Sequence, residues 1–93
     1  MRVISNKALQ NFAELYPQAL IPLQEWRGNI QGTSIKSYAE LKNIFNSVDK
    51  VGDYFVFNIA GNHYRLIAAI HFNTQTLYIR SIMTHKEYDQ WKP

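Results

Sequence analysis

Ninety-three residues are the length of one domain, since globular domains usually run to about 100–150 residues, and so short a chain supports a single core. Hydrophobic residues at 46% and aromatics at 14% exclude a disordered polyelectrolyte, and the absence of cysteine excludes disulfides, thiolate metal ligands and cysteine nucleophiles. A net charge of +3 leans towards a polyanionic partner without naming one.

Met1 to Ser5 alternates weakly and reads as a short edge strand. These first residues hold no apolar stretch of signal-peptide length, and no window approaches the ~18 consecutive apolar residues of a membrane helix. The expected location is the cytoplasm, with no membrane partner. Ser5 or Asn6 is placed to cap a helix whose buried side is Leu9, Phe12, Ala13 and Tyr16, and Pro17 ends it. A second helix is expected from Ala19 to Ile30, with Pro22 in its first turn and Leu23, Trp26 and Ile30 as its stripe. Ser37-Tyr38-Ala39-Glu40 has the form of a capping box for a short third helix that buries Leu41, Ile44 and Phe45.

After the turn at Val51-Gly52-Asp53 the period changes to two. Tyr54–Ala60 and His63–Phe72 flank Gly61-Asn62, a hairpin signal, and Leu77–Met83 follows the polar loop Asn73-Thr74-Gln75-Thr76. A short helical or irregular tail runs from Thr84 to Trp91. Helices followed by a meander give an α+β fold, with the N-terminal helices on one face of an antiparallel sheet.

The turn lengths set a register. Asn58 opposes Arg65 and Val56 opposes Ile67 across the hairpin. A four-residue second loop sets Arg65 opposite Thr84 and Ala69 opposite Arg80. Phe55, Phe57, Ile59, Tyr64, Leu66, Ala68, Ile70, Phe72, Leu77, Ile79 and Met83 then form an apolar face for the helices. Asn58, Arg65 and Thr84 form a polar row on the other face, with His85, Lys86 and Tyr88 beyond its end. Arg80 shares that face and reaches the edge of the same groove. A solvated sheet surface explains such a row equally well, but Val56, Ile67 and Ile82 make this face partly apolar, as a groove wall would be.

The run Phe57-Asn58-Ile59-Ala60-Gly61-Asn62-His63-Tyr64-Arg65-Leu66-Ile67, then Tyr78-Ile79-Arg80, then Met83-Thr84-His85-Lys86-Glu87-Tyr88-Asp89 resembles the HigB-type toxin family of the RelE-like superfamily. Tyr16-Pro17, Pro22-Leu23, Trp26 and Leu41-Lys42 carry the likeness into the helical half. The resemblance implies a type II toxin, an endoribonuclease cutting mRNA in the ribosomal A site. It implies no metal or other cofactor, and a helix-turn-helix antitoxin of the HigA type as partner, with DNA reached only through that antitoxin.

Metal-free RNA cleavage needs a base for the ribose 2′-hydroxyl, an acid for the leaving 5′-oxygen, and cations for the phosphorane-like transition state. Arginine forks suit the cationic role, so Arg65 and then Arg80 are its first candidates, with a structural salt bridge the other reading of Arg65. His85 is the candidate acid or base, because imidazole changes charge near neutral pH. Tyr88 is read as a base-stacking group or proton donor, Lys86 as a phosphate contact, and Asn58 as orienting Arg65 or substrate. Asn62 and Gly61 are assigned to the turn, His63 and His71 to no role, and Trp91 to anchoring the tail. Two rival functions share the fold: a gyrase inhibitor of the ParE type, and an RNA- or ribosome-binding module without catalysis.

Overall fold

In the computed structural model, which describes every residue from Met1 to Pro93, the chain begins with strand β1 (Arg2–Ile4) and then forms three helices, α1 (Asn6–Leu15), α2 (Leu20–Gln31) and α3 (Tyr38–Ile44). It returns as β2 (Asp49–Val51), β3 (Tyr54–Ile59), β4 (Tyr64–His71) and β5 (Thr76–Thr84), and closes with the single helical turn α4 (His85–Tyr88). No helix is long and apolar enough to cross a membrane.

The helices form where the apolar spacing requires them. Leu9, Phe12 and Ala13 are the buried side of α1, and Leu23, Trp26 and Ile30 that of α2. Their caps differ from expectation. Ser5 precedes α1 with φ 87° and makes no side-chain cap bond. Ser37 does cap α3 by accepting from the Glu40 N–H, but the Glu40 carboxylate accepts from the Lys36 N–H, which leaves half a capping box. Leu41 is fully buried, whereas Ile44 is 40% exposed: α3 ends at Ile44, and the aromatic that packs onto the core at that end is the half-buried Phe45, edge-on against Phe57 with centroids 5.3 Å apart.

The sheet order is β1-β5-β4-β3-β2. The β2–β3–β4–β5 meander is antiparallel, but β1 pairs parallel with β5 through Arg2–Thr76, Val3–Leu77 and Ile4–Tyr78, so the sheet is mixed. The strand β2 was not anticipated, because three residues reading Asp-Lys-Val are too short and polar to show a period. On the inner face, Phe55, Phe57, Ile59, Tyr64, Leu66, Ala68, Leu77 and Ile79 join α1 and α2 in one core. At about 25 cal/mol per Å² of buried apolar surface, that layer is the main stabilising term.

The first hairpin keeps its expected register, with Asn58 opposite Arg65 and Val56 opposite Ile67. Its turn is closed by the His63 N–H donating to the Ala60 carbonyl (3.3 Å), with Ala60 and Gly61 in left-handed backbone at φ 54° and 66°, a conformation that costs glycine little. The second hairpin does not keep its register. Phe72 leaves the strand in a short 3-10 turn closed by Gln75 at φ 52°, so the loop is Phe72–Gln75 and His71 pairs with Thr76. A bulge then intervenes: Ala68 opposes Ile79 while Ile67 opposes Ser81, leaving Arg80 as the extra residue. Every side chain after it changes face. Met83, not Thr84, stands opposite Arg65, while Thr84 pairs with Tyr64. Ile82 packs against the helical core, and Met83 shares the Arg65 side.

Candidate functional site

Val56 and Ile67 lie on the sheet face turned away from the helices, yet they are only 3% and 1% exposed. The chain's own end covers part of this face. After β5, Thr84 caps α4 with a complete capping box. The Glu87 N–H donates to Thr84 Oγ1 (3.1 Å), and the Thr84 N–H donates to Glu87 Oε1 (2.8 Å). That reciprocal pair fixes the direction in which the tail leaves the sheet. The backbone N–H of His85 donates to the His63 carbonyl (2.9 Å), tying α4 to the first hairpin.

Arg65 sits beneath this tail. It is the sole charged residue among the buried ones. Its Nη1 donates to the carbonyls of Tyr64 (3.0 Å) and Asn62 (3.4 Å), and its Nη2 donates to Asn62 Oδ1. Tyr88 covers it, with the guanidinium carbon 5.7 Å from the ring centroid, within cation–π range. Tyr88 in turn stacks on Trp91 (5.6 Å, 20° between planes), and Trp91 meets Tyr54 edge-on at 6.1 Å. A buried cation has a large desolvation cost unless its donors are engaged. Three hydrogen bonds and a π-face do that here without a carboxylate, since the two ion pairs of the molecule are Lys42–Asp49 and His85–Asp89. The salt-bridge reading of Arg65 is thereby excluded.

The other candidates lie around this cover. Asn58 pairs with Arg65 in register but is exposed and makes no bond to it; Asn62 takes the orienting role. An asparagine within a tight turn, three residues before an arginine, was the available signal, and assigning Asn62 to the turn alone missed it. His85 and Tyr88, three apart, share a side of α4. The His85 ring is partly exposed, with Nδ1 3.8 Å from Asp89 Oδ2. Lys86 points into solvent on the same turn. The structure thus brings Arg65, Tyr88, His85 and Lys86 to one end of the sheet, although none of the four lines a cavity.

Arg80 is separate. Displaced by its bulge, it is exposed and lines a groove of about 200 Å³ together with Tyr54, Ile67, Ser81, Trp91, Lys92 and Pro93. The expected single groove running from Arg65 to Arg80 is therefore divided by the Tyr88–Trp91 stack. His63 and His71 are exposed, beside Tyr64 and Tyr78 respectively.

Helices on one face of a mixed sheet and a cationic, tail-covered opposite face define the class: a small α+β protein of RelE-like architecture. The comparisons are more specific. Residues 19–91 match the family model for the HigB toxin, described as the RelE-like toxic component of a toxin–antitoxin system. The chain is 40% identical over 92 residues to the mRNA interferase toxin HigB of Escherichia coli K12, covering 96% of this chain and 88% of that one, and equally to the mRNA interferase HigB of Shigella flexneri. A more distant relative, the mRNA interferase HigB of Escherichia coli O6:H1, is 27% identical over 93 residues. The chain belongs to the HigB toxin family. It is accordingly the toxic half of a toxin–antitoxin pair, with a cognate antitoxin as partner.

Proposed function

We propose that this toxin is an endoribonuclease that cuts mRNA in the ribosomal A site without a metal ion, and so stops translation. The observation that supports it best is the placement of α4: its capping box and its Tyr88–Arg65 contact fix His85 and Lys86 at the solvent edge of a cationic sheet face. In the reaction the ribose 2′-oxygen bonds to the adjacent phosphorus as the bond to the 5′-oxygen breaks, leaving a 2′,3′-cyclic phosphate and a 5′-hydroxyl. His85 moves the proton, with Tyr88 as the second proton-handling group. Lys86 and Arg80 hold phosphate oxygens.

Arg65 acts from beneath. Three of its five N–H bonds are already donated, so its part is to seat Tyr88 and to place positive charge under the scissile phosphate. The antitoxin partner is read as a helix-turn-helix protein of the HigA type, encoded beside the toxin.

Mapping mRNA ends after incubation with translating ribosomes tests the reading. Cuts at A-site codons that disappear in His85→Ala are the expected result. Uncut message, with growth still arrested on expression, would instead favour the gyrase-inhibitor or non-catalytic binding alternatives.

A further inference from the structure

We infer that the Arg80–Lys92 groove is a subsite for one nucleotide of the RNA next to the scissile linkage, with the base against Trp91 and Tyr54 and its phosphate between the two cations. The inference rests on the nuclease reading and adds a set of residues to it.

The groove has the chemistry of a nucleotide site. Its floor is Ile67, 1% exposed, and its walls are the aromatic rings of Tyr54 and Trp91 with Pro93 and Ser81. Arg80 and Lys92 are both exposed, neither is in an ion pair, and no aspartate or glutamate side chain lines the groove. An apolar aromatic slot with free cations at its mouth is how single-stranded nucleic acid is held, the base by stacking and the backbone by charge. Its volume of about 200 Å³, below the roughly 300–1,000 Å³ of sites for drug-sized ligands, has room for a base but not for a whole nucleotide, which leaves the ribose and phosphate at the mouth beside the cations.

Its location carries the argument further. Trp91 stacks on Tyr88, and Tyr88 covers Arg65, so a continuous aromatic bridge leads from the proposed catalytic end to the groove. The other two cavities lack this combination. The one between α1 and α2 is about 70 Å³, and its lining, which includes Arg27, Gln10 and Gln24, contains no aromatic ring. The one at the β4–β5 turn has Lys36 as its single cation.

Tryptophan fluorescence reads the groove directly, because Trp26 is 3% exposed in the core while Trp91 lines the slot. The probe is a 2′-O-methylated trinucleotide, which lacks the attacking hydroxyl, compared with adenosine monophosphate. Saturable quenching by the trinucleotide, tighter than by the mononucleotide, is the expected result. Lys92→Ala should weaken it several-fold and lower the salt slope by about one. Trp91→Leu should remove the quenching and weaken binding, read by fluorescence anisotropy of the labelled trinucleotide, about tenfold. Quenching that does not saturate, or a folded Lys92→Ala protein that binds and cleaves like the parent, overturns the subsite while leaving cleavage standing. Trinucleotide binding through Trp91 with no cleavage on ribosomes keeps the groove as a nucleotide-binding site but removes the nuclease reading, and with it the groove's place beside a scissile linkage. Lys92 is solvent-exposed, so its variant isolates the groove even if Trp91→Leu fails to fold.

Discussion

Arg65 is a buried cation whose contacts are all with its own neighbours in the fold. Its charge is held by two carbonyls, one amide oxygen and a tyrosine ring. Hydrogen bonds to charged groups contribute about 1.5–3 kcal/mol each, so Asn62→Ala should lower unfolding stability by about 2 kcal/mol in urea titrations and slow cleavage by loosening α4. Tyr88 separates packing from chemistry. Tyr88→Phe keeps the ring over Arg65 and should melt like the parent protein; a rate loss in that variant alone would assign the phenol to proton transfer. Tyr88→Ala should lose both stability and activity. If Tyr88→Phe cleaves at the parental rate, the ring is a cover and His85 works with another partner.

At the scale of elements, two short connections carry more than their length indicates. The Thr84–Glu87 box is what makes a four-residue turn hold its shape, since an isolated turn of helix is unstable in water. Thr84→Ala should cost about 1 kcal/mol, seen as faster hydrogen exchange at the α4 amides and weaker cleavage with the sheet unchanged. Gln75 is the second. In a left-handed conformation, its side chain accepts from the Ile35 N–H (3.1 Å) and donates to the carbonyls of Ile35 (2.6 Å) and Phe72 (2.8 Å). Ile35 is fully buried, so Gln75→Ala strands its backbone groups at about 1–3 kcal/mol. A thermal melt of this variant should show a drop of several degrees. An unchanged melt would mean that water replaces the amide.

Across the whole molecule, one sheet serves two opposed purposes. Its inner face is dry and joined to α1 and α2, and its outer face is cationic and partly roofed by the tail. Leu66 is fully buried in the inner layer, and Leu66→Ala should cost about 2–5 kcal/mol, with cleavage lost only in proportion to unfolding. An antitoxin that binds the folded toxin should raise its melting temperature as its concentration rises, by mass action. A melting point indifferent to antitoxin would require a partner that does not recognise the native fold.

The sequence by itself determined the helices, the first hairpin and the outward placement of Arg65, because apolar periods of 3.6 and 2 and a Gly-Asn turn are local signals. It also carried the family, in motifs spread along the chain. Only the tertiary structure decided the second hairpin's register, because the Arg80 bulge adds a residue that no local pattern marks and reverses the faces of all that follow. It also decided that Arg65 is roofed by Tyr88, and that Arg80 faces a groove of its own. Both depend on where the tail folds back: the Thr84–Glu87 box sets its direction, but the contacts that hold it over the sheet join Tyr88 to Arg65 and Trp91 to Tyr54, more than twenty positions apart in the chain, which alternation within a strand cannot encode.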